Sequence, residues 1–136
     1  MSESDRGPCT VLVIDDELTG RRLEQRILEQ RGYHVLTASD GEEGLVLAKA
    51  ERPHLILLDV VMPKLNGYQV LRRLKADPDC REIPVIMLTG RSDDHDIEES
   101  FKLGAVYHLE KPFLIQQLYR QIELALSLSN PPPASS

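Results

Sequence analysis

A chain of 136 residues is the length of one domain with a single sizeable core. Its 16 Lys and Arg against 22 Asp and Glu leave a net charge of −6 with no basic run, a poor basis for holding nucleic acid or an anionic membrane directly. Apolar residues at 41% and charged residues at 28% suit an ordinary globular domain, no apolar stretch approaches the ~18 residues of a membrane span, and two cysteines do not make a disulfide scaffold.

Residues 1–9 are polar, contain Gly7-Pro8 and lack the apolar segment of a secretory signal, so they read as a flexible tail. With so few cysteines, a reducing cytoplasm is the expected location. The first apolar run is Val11-Leu12-Val13-Ile14. A helix follows, with Leu23, Ile27 and Leu28 on one face and Gly32 as its stop. Val35-Leu36 is a second short run. Asp40 and Glu43 have the spacing of a capping box for a second helix, with Leu45 and Ala48 inward and Pro53 at its end. Leu55 to Leu58 is a third run. Asn66 caps a third helix carrying Val70, Leu71 and Leu74, which closes before Pro78. Val85 to Leu88 is a fourth run, and Ser92, Asp93 and Asp94 open a fourth helix with Ile97 and Phe101 inward and Gly104 as its stop. The fifth run is Ala105 to Leu109. The fifth helix runs from Phe113 to about Leu128, with Ile115, Leu118, Ile122 and Ala125 inward. Residues 129–136, with three consecutive prolines, cannot continue it and read as an extended tail or linker.

Strand and helix thus alternate five times over residues 10–128. Continuous apolar runs suit strands buried on both faces, and the alternation predicts an α/β domain with a parallel sheet covered by helices on both sides. Ligands of such folds lie beyond the carboxyl ends of the strands. The residues there are Asp15, Asp16 and Glu17 after the first run, Asp59 after the third, Thr89 and Gly90 after the fourth, and Lys111 with Pro112 after the fifth. Any one of these is an ordinary cap or surface residue. Acids, a hydroxyl and an amine at four strand ends of one rim are not expected from independent caps. Clustered carboxylates repel one another and call for a cation, and hard oxygen ligands of this kind suit Mg²⁺.

These residues carry a resemblance. Asp15-Asp16, Asp59 within LLDVVMPKLNG, Thr89 within MLTG and Lys111 within EKPF resemble the receiver domain of two-component response regulators over about residues 10–128. The resemblance implies a single (βα)5 doubly wound, flavodoxin-like domain with sheet order 2-1-3-4-5. It implies that Asp59 accepts a phosphoryl group from a sensor histidine kinase or phosphotransfer protein. Asp16 and Asp59 would ligate Mg²⁺ directly with the main-chain carbonyl of Val61, and Asp15 mainly through a water. Lys111 would pair with Asp59 and then with a phosphoryl oxygen, to which Thr89 would also donate. Met62-Pro63 and Gly67 would shape the loop after Asp59, and Gly90 would admit the phosphoryl group. Output, and a homodimer if one forms, would use the surface of the fourth helix, fifth strand and fifth helix, with no direct contact to nucleic acid or membrane. Such a domain is not a turnover enzyme.

One position departs from the family pattern. Three residues before the lysine the family usually places Tyr or Phe; here His108 stands there and Tyr107 one place earlier. His34 and His54 fall at the starts of strands, away from the rim. With the implied strand order, Cys9 and Cys80 precede strands two places apart, roughly 9–10 Å, too far for a disulfide.

A flavin mononucleotide binder of this fold class would need a glycine- and hydroxyl-rich loop where Asp15-Asp16-Glu17 stands. An aspartate-nucleophile phosphatase would need an Asp-x-Asp segment there. The nearer alternative is a receiver fold that serves only as a docking module, its phosphorylation incidental; a phosphotransfer assay separates the two.

Overall fold

The computed structural model describes residues 9–62, 65–90 and 94–129, and of residues 94–97 and 128–129 the backbone alone. Five strands alternate with five helices: β1 (Thr10–Ile14), α1 (Leu18–Gln30), β2 (His34–Ala38), α2 (Gly41–Glu51), β3 (Leu55–Asp59), α3 (Gly67–Ala76), β4 (Val85–Thr89), α4 (Asp94–Lys102), β5 (Tyr107–Glu110) and α5 (Ile115–Ser129). The sheet is parallel throughout, in the order β2-β1-β3-β4-β5. Parallel neighbours need a crossover between them, and the helices supply it on both faces.

Side chains along a strand point alternately to the two faces, and this divides the core. Leu12 and Ile14, Ile56 and Leu58, and Val85 and Met87 meet Ala48 of α2 and Val70, Leu71 and Leu74 of α3. Val11 and Val13, Leu55 and Leu57, and Ile86 and Leu88 meet Ile27 and Leu28 of α1 and Leu118, Ile122 and Ala125 of α5. Every residue of β3 and β4 is buried. The continuous apolar runs are therefore the two-sided strands expected of them.

The helix ends follow local chemistry. Asn66 and Gln69 form a reciprocal capping box at the start of α3. Asp40 accepts from the Glu43 N–H at 2.8 Å, whereas the Glu43 carboxylate reaches Ser39 rather than Asp40, so the expected box at α2 is only half formed. α1 ends where Gly32 takes φ +91°, a left-handed turn in which Tyr33 N–H returns to the Leu28 carbonyl.

Four expectations need correction. Leu23 is 56% exposed, because Glu24 takes the inward position one turn before Ile27 and Leu28. Phe101 is 46% exposed, because Ser100 faces the core and its neighbour is turned about 100° away. Ile115 is also exposed; Phe113 packs against the α1/α5 layer there, and the inward stripe of α5 begins at Leu118. Finally, β5 starts at Tyr107, not Ala105: Ala105 N–H closes the end of α4 on Ser100, and pairing with β4 begins at Ile86 opposite Tyr107. Residues 1–8 and 130–136, Pro63, Ser92 and Asp93 lie outside the described residues, as does the side chain of Ile97.

His34 opens β2. His54 sits just before β3, its Nδ1 accepting from Thr10 N–H at 2.9 Å. Cys9 and Cys80 are free thiols.

Candidate functional site

The β1–β3 register ends with Ile14 opposite Leu58, so the chains leave the sheet side by side at Asp15 and Asp59. Asp59 is opposite Leu88 of β4, with Thr89 next, and Thr89 is opposite Glu110 of β5, with Lys111 next. Lys111 N–H donates to the Thr89 carbonyl at 2.6 Å, which fixes the start of the loop carrying the amine. The four strand ends singled out in the sequence therefore share one rim.

The loops at that rim are held closely. Asp15 is fully buried; its N–H donates to the Ala38 carbonyl at 3.1 Å and its Oδ1 accepts from Glu17 N–H at 3.0 Å. Asp16 is exposed. Asp59 is 8% exposed, and its Oδ1 accepts from Val61 N–H at 3.4 Å, while the Val61 side chain points to solvent. Gly67 donates its N–H to the Val60 carbonyl at 2.9 Å, and a Cβ at Gly67 would lie 2.5 Å from the Asp59 carbonyl oxygen and 2.7 Å from Val60 Cα. Those neighbours are backbone and cannot swing aside. Gly67→Ala is therefore expected to cost about 1–3 kcal/mol in a denaturant melt and to displace the Asp59 loop; an unchanged melt would show that the α3 start can move freely.

The Lys111 amine is the hub. Nζ lies 3.5 Å from Asp15 Oδ2, 3.7 Å from Glu24 Oε2 and 3.9 Å from Asp59 Oδ1. Burial disfavours its ammonium, but Glu24, Asp59 and Asp15 outweigh that and raise its pKa. The carboxylates are pushed the other way. Burial, with the Asp15 charge, drives the Asp59 carboxyl up to about 7 against the pull of Lys111. Burial and then the Asp15 charge drive Glu24 up to about 8, against the pull of Lys111. Asp15 Oδ2 and Glu24 Oε1 are buried without a hydrogen-bond partner.

Glu24 was absent from the candidates read in the sequence. It stands three and four residues before Ile27 and Leu28, on their stripe, but a charged side chain does not mark an apolar face, whereas Leu23 beside it does. Asp15, Asp16 and Asp59 each offer an oxygen, all within 4.8 Å of one another. Three hard donors, one of them with a buried oxygen that makes no hydrogen bond, fit a Mg²⁺ ion.

Thr89 is buried at the same rim. Of the two rings on β5, Tyr107 packs into the α1/α5 layer. His108 faces the other way, its Nε2 3.3 Å from the Tyr68 hydroxyl at the start of α3.

The family model "Response regulator receiver domain" matches residues 11–123. The chain is 41% identical over 126 residues to "Probable transcriptional regulator ycf27" of Cyanophora paradoxa, an alignment covering 93% of this chain and 52% of that protein. The chain thus spans about half the length of the curated relatives it matches. Among solved structures it is similar to chemotaxis protein CheY4 of Vibrio cholerae, with TM-score 0.84 and 29% identity over 88% of this chain and 99% of that one. It is also similar to the receiver domain of sensor histidine kinase PA1611 of Pseudomonas aeruginosa, solved with a magnesium ion coordinated in its active site cleft, with TM-score 0.82 and 27% identity over 89% of this chain and 99% of that one.

Proposed function

The chain belongs to the response regulator receiver domain family, and on that premise we propose that Asp59 accepts a phosphoryl group from a sensor histidine kinase or phosphotransfer protein. The observation that carries this reading is the convergence of Asp59, Asp15 and Lys111, within 3.9 Å of one amine, at the carboxyl ends of β3, β1 and β5. A carboxylate oxygen of Asp59 attacks phosphorus, the bond from phosphorus to the donor nitrogen breaks, and that nitrogen keeps the electron pair. The attacking group must be ionised, and Lys111 is the side chain that favours the Asp59 carboxylate against its burial.

Asp16 and Asp59, with the Val61 carbonyl, would hold Mg²⁺ directly, and Asp15 mainly through a water. The bound ion supplies positive charge that lets several carboxylates and a phosphoryl group share one site. Lys111 neutralises one phosphoryl oxygen. The Thr89 hydroxyl donates to another, drawing the end of β4 inward. Because β4 is bonded to β5 up to Thr89 opposite Glu110, that movement reaches the surface formed by α4, β5 and α5, where we place the output contact. The exposed Phe101 and Val106 on this surface suit a protein partner or a second copy. Among the described residues no helix is long and apolar enough to cross a membrane.

The test is incubation with acetyl phosphate or phosphoramidate and Mg²⁺, read by intact mass. Wild type should gain one phosphoryl group, labile to base, and Asp59→Asn should gain none. An equal adduct on Asp59→Asn would overturn the assignment. No adduct on either, with the fold intact, would leave the docking-module reading in its place.

A further inference from the structure

In a site of three aspartates and one lysine, Glu24 is a fourth carboxylate for which the phosphoryl chemistry has no evident use. It is 3% exposed, on the inward stripe of α1 where Ile27 and Leu28 continue the apolar layer. A buried acid at such a position is costly, and the core around it would accept an apolar side chain. The helix is also cut away beside it: one turn earlier stands Gly20, where a Cβ would lie 2.9 Å from Asp15 Oδ2. The face of α1 toward the rim thus leaves room for carboxylates.

What Glu24 touches is the amine of Lys111, at 3.7 Å. Lys111 Nζ is closer to Asp15 and to Glu24 than to Asp59. Its position is a balance, and two of the three oxygens that face it, those of Asp15 and Glu24, lie on the α1 side; a Glu24 oxygen accepts from the ammonium whether or not the carboxyl carries a proton. A phosphoryl group on Asp59 needs that amine on its own side.

Resting on the reading of Asp59 as phosphoacceptor, we propose that Glu24 is a positioning residue that holds Lys111 back on the α1 side, so that phosphorylation must first draw the lysine away from it. Glu24 touches neither the phosphoryl donor nor the acceptor; it acts through the lysine. It thereby sets how readily the site takes up a phosphoryl group and keeps the resting state off.

Beryllofluoride, a phosphoryl mimic, measures this with Mg²⁺ present, by fluorine NMR. Glu24→Met, close in volume and without an oxygen, should bind it roughly three- to tenfold more tightly than wild type, the scale of a coupling between neighbours in one charge network. Glu24→Gln, which keeps an oxygen for the ammonium, should fall between. The rate of phosphorylation by acetyl phosphate should rise in the same order. On a Lys111→Ala background the gain from Glu24→Met should vanish. The Lys111 side-chain NMR signal, recorded without any phosphoryl mimic, should shift in Glu24→Met.

Unchanged or weaker beryllofluoride binding in both Glu24 variants would overturn the proposal, and so would a gain that survives without Lys111. Thermal melts check that the variants fold, and the apolar one should be at least as stable as wild type. Failure of the phosphoacceptor reading looks different: wild type would then take up neither acetyl phosphate nor beryllofluoride, while the Lys111 signal would still report whether Glu24 holds the amine.

Discussion

In EDTA, the melting temperature is expected to fall by about 15–20 °C between pH 5.5 and 8.5, from a loss of about 5 kcal/mol. The folded-state pKa values of Glu24 and Asp59 are pushed up to about 8 and about 7, against ordinary values of 4.5 and 3.8. Below pH ~3 both residues are protonated in the folded and unfolded chain, and stability no longer changes with their titration. Between pH ~4 and ~8 the unfolded chain releases these protons first, because its carboxyls are solvated. The folded chain then holds more protons, so stability falls as the pH rises and the loss is complete only above about pH 9. Acid-labile ion pairs elsewhere act in the opposite sense, which is why the window opens at pH 5.5.

Millimolar Mg²⁺ should reverse much of this loss. At a hundredfold excess over its dissociation constant, binding to the folded state alone adds about 2.7 kcal/mol. The gain should be larger at pH 8 than at pH 6, because protons compete for the same oxygens. Asp16→Ala should remove most of the Mg²⁺ shift while leaving the pH slope in EDTA, since Asp16 is exposed. Glu24→Met should flatten the slope instead. A melting temperature that rises with pH in EDTA would contradict the burial of these acids.

The rim was readable in the sequence because apolar runs stop at it, Ile14 at Asp15, Leu58 at Asp59 and Leu88 at Thr89, with Lys111 one residue past Glu110. Where a run of four buried residues stops at a charge, as Leu55–Leu58 stops at Asp59, the pattern itself locates the strand end. The helices were less readable for one reason repeated three times. Leu23, Phe101 and Ile115 are apolar and near the inward stripe, yet the inward positions belong to Glu24, Ser100 and Leu118. A helix turns about 100° per residue, so an apolar residue beside a polar one decides the face only when the neighbours on both sides agree. At Glu24 the site overrides them: Lys111, far away along the chain, supplies the partner that lets an acid occupy a core position. No local pattern contains that partner. The contact between Tyr68 and His108 was hidden for the same reason, joining α3 to β5 across 40 positions.

Lys111→Ala is expected to weaken beryllofluoride binding by roughly a hundredfold, the usual effect of removing one preorganised donor from a developing anion. The amine faces three carboxyl groups at 3.5–3.9 Å in the resting site and, among the described residues, is the cation paired with Asp59. Its loss acts twice. The phosphoryl group loses a counter-charge, and the carboxyls of Asp59 and Glu24 lose the influence that lowers their pKa values. Asp59 should therefore still accept a phosphoryl group from acetyl phosphate, but only at higher pH than in wild type, because more of it remains protonated near neutrality. Lys111→Arg restores the charge without restoring the hub: a planar guanidinium directs its donors in a fixed fork, whereas the compact ammonium can face Asp15, Glu24 and Asp59 together. It should recover less than half of the lost binding free energy. Beryllofluoride affinity in Lys111→Ala equal to that of wild type, with phosphorylation keeping the same pH profile, would place the phosphoryl counter-charge on some other side chain.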